Sequence, residues 1–550
     1  MKGPGDRFDG WTSIAVALTG GYLLLVIWPL VMVLISSFSV GGEISLAGFE
    51  KFFSSRLYYG TLINSMMVTV CVTVLALVVA FPLAYFMTMF RIAGNRTVQM
   101  LILASMMSPP FIGAYSWILL LGNNGMITTF FQDLFGFKPP SIYGFVGIVL
   151  VLTLQLVPLI FTYLMGAWRT IDVSLLEASE SMGITGWKRA VQVISPLLWP
   201  TVLAGSLLVF VRAFADFGTP MLIGQGFRTV PVLIYSSFVG EVGTDTSFAA
   251  AVAVIVIVVT LSVFLLQRYL ANRQKFSMTA LRTIEPKRLP GWRGVAAHAY
   301  VYGFLTLALA PLVVVVVSSF RNTLYGQFVD GFSFDNYLDS QRDIMRYVGN
   351  TFSIGLTALA ILVVVAVLVA YLTVRRRGVL SSTLDTMTMV PYVVPGLVIG
   401  IALVTAFSQK PLLLTGTFAI MVIALTIRRL PYSVRSTTAL MYQLNPSIEE
   451  AAVSLGASKF RTLMRIIVPA LAPGILSGAI LSWVTIITEL STTLFLYNTS
   501  TQTLSLGIYA EVIRGQLGTA AALSTLLLVL TMLSLFVLMR LPGGQKELRV

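Results

Sequence analysis

EAAVSLGASKFRTLMRIIVP runs from Glu450 to Pro469, and EASESMGITGWKRAVQVISP runs from Glu177 to Pro196. Each reads as a short helix, a glycine break, a second short helix and a proline that opens the next apolar run. Gly183 and Gly456 suit the break because glycine tolerates the backbone angles that end a helix. Pro196 and Pro469 suit a first helical turn, where the missing N–H costs nothing. Apolar residues (Leu175, Leu176, Met182; Ala451, Ala452, Leu455) lie beside charges (Asp172, Glu177, Lys188; Glu450, Lys459, Arg461). An amphipathic helix outside a membrane needs a surface to lie on, either lipid headgroups or a partner's groove. A single copy would pass for an ordinary interfacial helix. Two copies with the same internal spacing point to a docking element.

The two stretches are 273 positions apart (450 − 177), and that offset extends well beyond them. It pairs Pro158 with Pro431, Gly205 with Gly478, and Asp216 with Glu489. Further upstream, Asn64 pairs with Asn350 and Pro110 with Pro395, at offsets of 286 and 285, because the loop GNNGMITTFFQDLFGFKPP is longer than its counterpart around FSQKP. The chain is therefore two parallel repeats, 1–270 and 295–550, joined by a polar, basic linker over 271–294 that contains Pro286 and Pro290. Parallel repeats are related by an axis along the membrane normal, with the substrate path expected between them.

The repeats are hydrophobic. Of 550 residues 57% are hydrophobic and 11% charged, whereas a soluble domain carries about 25% charge. A span needs about 20 apolar residues. Twelve such runs are predicted, near 14–38, 62–89, 98–121, 144–166, 197–221, 248–270, 295–319, 348–374, 384–407, 412–430, 471–496 and 519–539. The expected fold is all-α: a polytopic membrane protein of twelve helices in two parallel six-helix repeats. With both termini and the linker inside, 26 of 36 basic residues fall on the cytoplasmic side, nine outside, and Arg212 in the membrane. Arg375, Arg376 and Arg377 mark one inner boundary; Arg268, Arg273, Lys275, Arg282, Lys287, Arg288 and Arg293 mark the linker. That asymmetry sets orientation. It also accounts for the net charge of +14 without any nucleic acid. One cysteine, Cys71, and one histidine, His298, exclude a disulfide framework and a Cys/His metal site.

The docking stretches resemble the coupling motif of ABC importer permeases, Glu-Ala-Ala, three residues, Gly, nine residues, Ile-x-Leu-Pro. Glu450, Ala451, Ala452, Gly456, Ile466 and Pro469 match it, with Val468 in place of Leu. In the first copy Glu177, Ala178, Gly183 and Pro196 match, while Ser179, Val193 and Ser195 depart. The resemblance covers the whole chain. It implies a type I importer permease fold in the bacterial cytoplasmic membrane, two copies of an ABC ATPase subunit docked on the motifs, and an extracytoplasmic substrate-binding protein. A phosphate-binding loop needs Gly-Lys followed by Ser or Thr, and none of the lysines follows a glycine. The chain is thus expected to hold no cofactor and catalyse nothing, with ATP and magnesium on the partner. Within the family, FADFGTPMLIGQGFRTVPVLIY and TELSTTLFLYNTSTQTLSLGIY resemble the ferric-iron branch, whose relatives carry thiamine, polyamines, 2-aminoethylphosphonate or sugar phosphates.

Five residues are candidates for the path. Arg212 and Asp216, four apart, are expected to share a helix face and pair. Asp216 and Glu489 fall about 28 Å beyond the prolines that start their spans, so they should flank the outer mouth, as a cation entrance or as hydrated groups at the membrane edge. Arg428 and Arg429 end the tenth run, about 24 Å from its outer start, and are expected to snorkel to the inner interface. Facing the path instead, they would attract anions and favour an organophosphate. A gradient-driven secondary transporter also fits twelve spans in two parallel halves, but leaves the repeated motif unexplained. A channel has no selectivity ring to recommend it.

Overall fold

The computed structural model describes residues 10–106, 109–239, 245–273, 284–376 and 378–540. Arg377 and part of the linker, including Lys275 and Arg282, lie outside the described residues. Among the described residues, nine helices are long and apolar enough to cross a membrane: Gly10–Ser37, Arg56–Met89, Phe145–Arg169, Val191–Phe214, Thr246–Gln267, Trp292–Ser318, Gln341–Arg375, Lys459–Ile487 and Leu517–Ser534. Two more predicted spans are bent pairs, Asn95–Met106 with Phe111–Phe135 and Val379–Val393 with Gly396–Phe407. The second bends by 111°. Its cause is Pro395, which offers no N–H and disfavours a helical residue before it. The remaining predicted run, 412–430, falls in Phe418–Gln443, set apart from those eleven by Arg428, Arg429 and Arg435.

The helices form two compact units that exchange their first spans. One unit holds Met1–Phe49, Asp245–Ile257 and Phe334–Val550; the other holds Glu50–Thr244 and Val258–Ser333. In the first, Tyr22 and Val26 join Leu362, Val369 and Leu372 in one apolar core, and the Trp11 ring lies 4.6 Å from that of Tyr371. In the second, Ala297, Val301 and Phe304 of the seventh span pack with Ala76, Ala80 and Leu83. The Tyr300 hydroxyl donates to the Val79 carbonyl at 2.9 Å. His298 is structural: its Nε2 accepts from the Ala93 amide at 3.2 Å, and its Nδ1 lies 2.8 Å from the Gly294 carbonyl. The linker's far end is tied into the same unit, since Arg91 Nε donates to the Pro286 carbonyl and the Lys287 amide to the Met89 carbonyl.

The sequence repeat reappears as repeated hydrogen bonding. Asn64 Nδ2 donates to the Arg228 carbonyl, and Asn350 Nδ2 to the carbonyls of Ser500 and Gln502. The next residue repeats too: Ser65 Oγ accepts from the Val230 amide and Thr351 Oγ1 from the Leu504 amide. Each half thereby caps the start of a short apolar helix, Val230–Val239 or Leu504–Ile513.

Candidate coupling helices and an intramembrane charge cluster

The two docking stretches fold alike. Val173–Ser181 starts at Asp172, whose carboxylate accepts from the Ser174 amide at 2.9 Å. Pro446–Ser454 starts at Asn445, whose side chain accepts from the Ser447 amide at 3.0 Å. Both end on a left-handed glycine, Gly183 at φ +74° and Gly456 at φ +85°. The Ile184 amide returns to the Ser179 carbonyl, and the Ala457 amide to that of Ala452, closing the C-terminal cap. Ser179 and Ala452 turn inward, whereas Glu177, Ala178, Glu450 and Ala451 are exposed. Exposed apolar side chains accompany them, Met182 and Leu175 in one copy, Leu455 and Ile448 in the other.

The prolines do not open a new helix. In both copies the second short helix runs unbroken into the span through a π-helical turn, Ala190–Ile194 or Leu463–Ile467. Pro196 and Pro469 follow that turn directly. A wider turn accommodates a residue that can neither donate to the preceding turn nor clear its carbonyl.

One anchor escaped the sequence reading. Glu449, beside the motif glutamate, accepts from the Tyr371 hydroxyl at 2.5 Å and lies 3.4 Å from Arg375 Nε. Arg375 also donates to the Leu444 carbonyl at 2.8 Å. The second coupling helix is thereby fastened to the end of the Gln341–Arg375 span. At the equivalent position the first copy has Leu176, which packs against an apolar core instead.

The pathway candidates are arranged differently from expectation. The helix Ser195–Phe214 ends before Asp216, so Arg212 and Asp216 do not share a face and form no pair among the described residues. Asp216 turns forward and accepts from the Thr219 amide at 3.0 Å. Its counterpart makes the same turn: Glu489 Oε1 accepts from the Thr492 amide at 3.0 Å and the Thr492 hydroxyl at 2.9 Å. Glu489 is buried, however, and its Oε2 accepts from Arg429 and lies 3.5 Å from Arg428 Nε. It is not a hydrated group at the membrane edge.

Nor do the two arginines snorkel. Their helix begins at Phe418 and continues to Gln443, so Arg428 lies about 15 Å from the Phe418 end rather than at an inner boundary. The end of the apolar run was not the end of the helix. Arg428 also donates to the Val394 carbonyl at 3.1 Å, at the break in the bent span. A Cβ on Gly396 would come within 3.0 Å of the Arg428 guanidinium and 2.8 Å of Thr492 Oγ1, so any larger residue would have to displace those side chains. The first repeat has Gln155 and Leu156 where the second has Arg428 and Arg429. The symmetric acids therefore sit in unlike surroundings.

Residues 76–276 and 362–541 match the family of binding-protein-dependent transport system inner membrane components. The chain is 27% identical over 544 residues to the ferric transport system permease protein of Actinobacillus pleuropneumoniae, covering 96% of this chain and 77% of that one. It is 24% identical over 531 residues to an Fe(3+)-transport system permease protein of Haemophilus influenzae, covering 96% and 97%. A permease named for 2-aminoethylphosphonate transport in Salmonella typhimurium is 28% identical over 254 residues, covering 45% of this chain and 88% of that one. With the family matched in both halves, two short helices of matched geometry and the membrane spans in place, the chain belongs to the binding-protein-dependent inner membrane permeases of ABC importers.

Proposed function

We propose that this permease takes ferric iron from an extracytoplasmic binding protein and passes it across the cytoplasmic membrane, driven by two copies of a separate ABC ATPase. The observation that carries the reading is whole-chain similarity to permeases named for ferric transport, together with two docking helices of matched geometry. Glu177, Ala178, Gly183, Pro196, Glu450, Ala451, Gly456 and Pro469 form the ATPase-facing surfaces, with Ala452 packed inward beneath them. ATP and magnesium stay on the partner, in keeping with the missing Gly-Lys pair. An organophosphate is the second cargo reading, favoured by the partly buried arginine pair.

Proteoliposomes containing the chain, its ATPase and its binding protein should accumulate labelled ferric iron when ATP is inside. Accumulation of 2-aminoethylphosphonate with no iron uptake would overturn the iron reading.

Both termini and the linker face the cytoplasm in this proposal, as the basic bias favours. With Cys71 replaced by Ala, a cysteine at Arg288 should react with an impermeant maleimide only from inside, and one at Lys138 only from outside. The reverse pattern sinks the topology, and with it the placement of the docking helices.

A further inference from the structure

The Arg428–Arg429–Glu489 cluster carries two guanidinium charges and one carboxylate, an excess of one positive charge inside the membrane-spanning region. Glu489 is saturated: one oxygen accepts from both donors of Thr492, the other faces both arginines. A cation would have to displace two like charges to reach it. The arginines are not saturated. Each has five N–H donors, yet Arg429 Nε is buried without a hydrogen-bond acceptor, and Arg428 Nε has only the Glu489 carboxylate at 3.5 Å, which it shares with Arg429. Buried donors of this kind are costly unless something accepts from them.

The surroundings add positive potential. Arg428 reaches the break of the bent span, where Gly396–Phe407, a helix of 12 residues, begins. Its first residue, Gly396, lies against the Arg428 guanidinium. A helix start carries partial positive charge and free amide donors. In membrane transporters, irregular backbone at bilayer depth is tolerated where protein or a water-filled cavity surrounds it, and such half-helix starts face anionic groups of the substrate. Among the described residues, the first half offers no such cluster. Gln155 and Leu156 replace the arginines, and Asp216 has no cation paired with it among the described residues.

We infer that Arg428 and Arg429, with the start of Gly396–Phe407, form a single oxyanion-binding site, and that cargo crosses this chain in anionic form. Resting on the importer reading, the inference specifies the charge of the cargo. Ferric iron meets the site only when oxygen ligands give its complex net negative charge, whereas a phosphonate meets it directly. One chemistry thus serves both cargo classes named among the relatives.

Two arms test this. In the first, the purified full chain in detergent is heated with inorganic phosphate or with chloride at equal ionic strength. Phosphate should raise the unfolding midpoint saturably, as a ligand of the folded state does. R428Q/R429Q should lose the rise, and R435Q, altered at an exposed arginine, should keep it. Glu489→Gln can still accept from Thr492 but frees both guanidinium groups, so half-saturation should fall to a phosphate concentration about tenfold lower. That gain of affinity keeps the arm decisive if the double variant does not accumulate. A rise undiminished in R428Q/R429Q, no phosphate-specific rise in the unmutated chain, or weakened binding in Glu489→Gln overturns the site.

In the second arm, proteoliposomes with the ATPase and binding protein take up ferric iron or 2-aminoethylphosphonate. Uptake should fall more than about tenfold in R428Q/R429Q and survive in R435Q. Uptake undiminished in R428Q/R429Q but lost in Glu489→Gln would make Glu489 a cation ligand and overturn the inference. Should the unmutated assembly transport neither cargo, the importer reading of the cargo fails while the phosphate arm still judges the site.

Discussion

Reversing the charge on both docking helices, Glu177→Lys with Glu450→Lys, should abolish ATP hydrolysis stimulated by the loaded binding protein while the permease still inserts and folds. Both glutamates lie on the exposed side of a capped two-turn helix, with Ser179 and Ala452 facing inward. A partner surface that pairs with that charge would meet repulsion where it had attraction, at a cost of at least about 2 kcal/mol, or roughly thirtyfold in affinity. The single Glu177→Lys change should do less harm, since the first copy departs further from the motif. Co-purification of the ATPase and its stimulated turnover read the effect. Unaltered coupling in the double variant would remove the docking role. Glu449→Ala should also weaken coupling, but by loosening the helix from Tyr371 and Arg375 rather than by changing the docking surface.

Gly478→Leu should destabilise the chain severely, and even Gly478→Ala measurably, while Gly205→Ala at the equivalent place should be near neutral. A Cβ on Gly478 would stand 2.7 Å from the Ser433 Cα, a backbone atom that cannot give way without moving its helix. The same helix crossing holds Ser433 Oγ and Ser482 Oγ at 3.0 Å and has Ser436 Oγ donating to the Gly474 carbonyl at 2.8 Å. Gly474 and Gly478, four apart, form the small-residue surface that lets membrane helices approach closely. Separating them breaks these hydrogen bonds together, and overpacking alone costs about 1–3 kcal/mol. The nearest atom to a Cβ on Gly205 is the Tyr163 Cβ at 3.5 Å, an ordinary contact. Thermal unfolding of the solubilised chain compares the two alanine variants. Equal tolerance would mean the halves pack alike at this crossing and the close approach is not real.

That contrast marks what one sequence can disclose. Hydropathy and the offset of 273 reveal spans and repeats because burial in lipid acts on every residue of a helix. The glycine breaks were legible because a left-handed residue has few other solutions, and Gly183 and Gly456 both adopt it. The exchange of spans was not legible, because Trp11 and Tyr22 are apolar enough to pack in either half and linear order does not say which. The charge cluster was misplaced for a related reason. Depth was counted from where apolar composition stops, yet Phe418–Gln443 continues through its arginines because Glu489, sixty positions away, supports them. An ion pair at that separation leaves no periodic trace. Only the chemical oddity was visible: adjacent arginines in one repeat and an acid at equivalent places in both. Arg428, Arg429 and Glu489 form one cluster.

In the proposed importer, ATP hydrolysed by a partner acts on the cargo path through the two docking helices. Proteoliposomes that separate ATP from ion gradients measure this most directly. Uptake of labelled ferric iron should require the chain, the ATPase and the binding protein together, continue when ionophores collapse every gradient, and stop when ATP inside is replaced by a non-hydrolysable analogue. Uptake that persists without ATP and vanishes with the gradients would contradict the account and make the chain a secondary transporter.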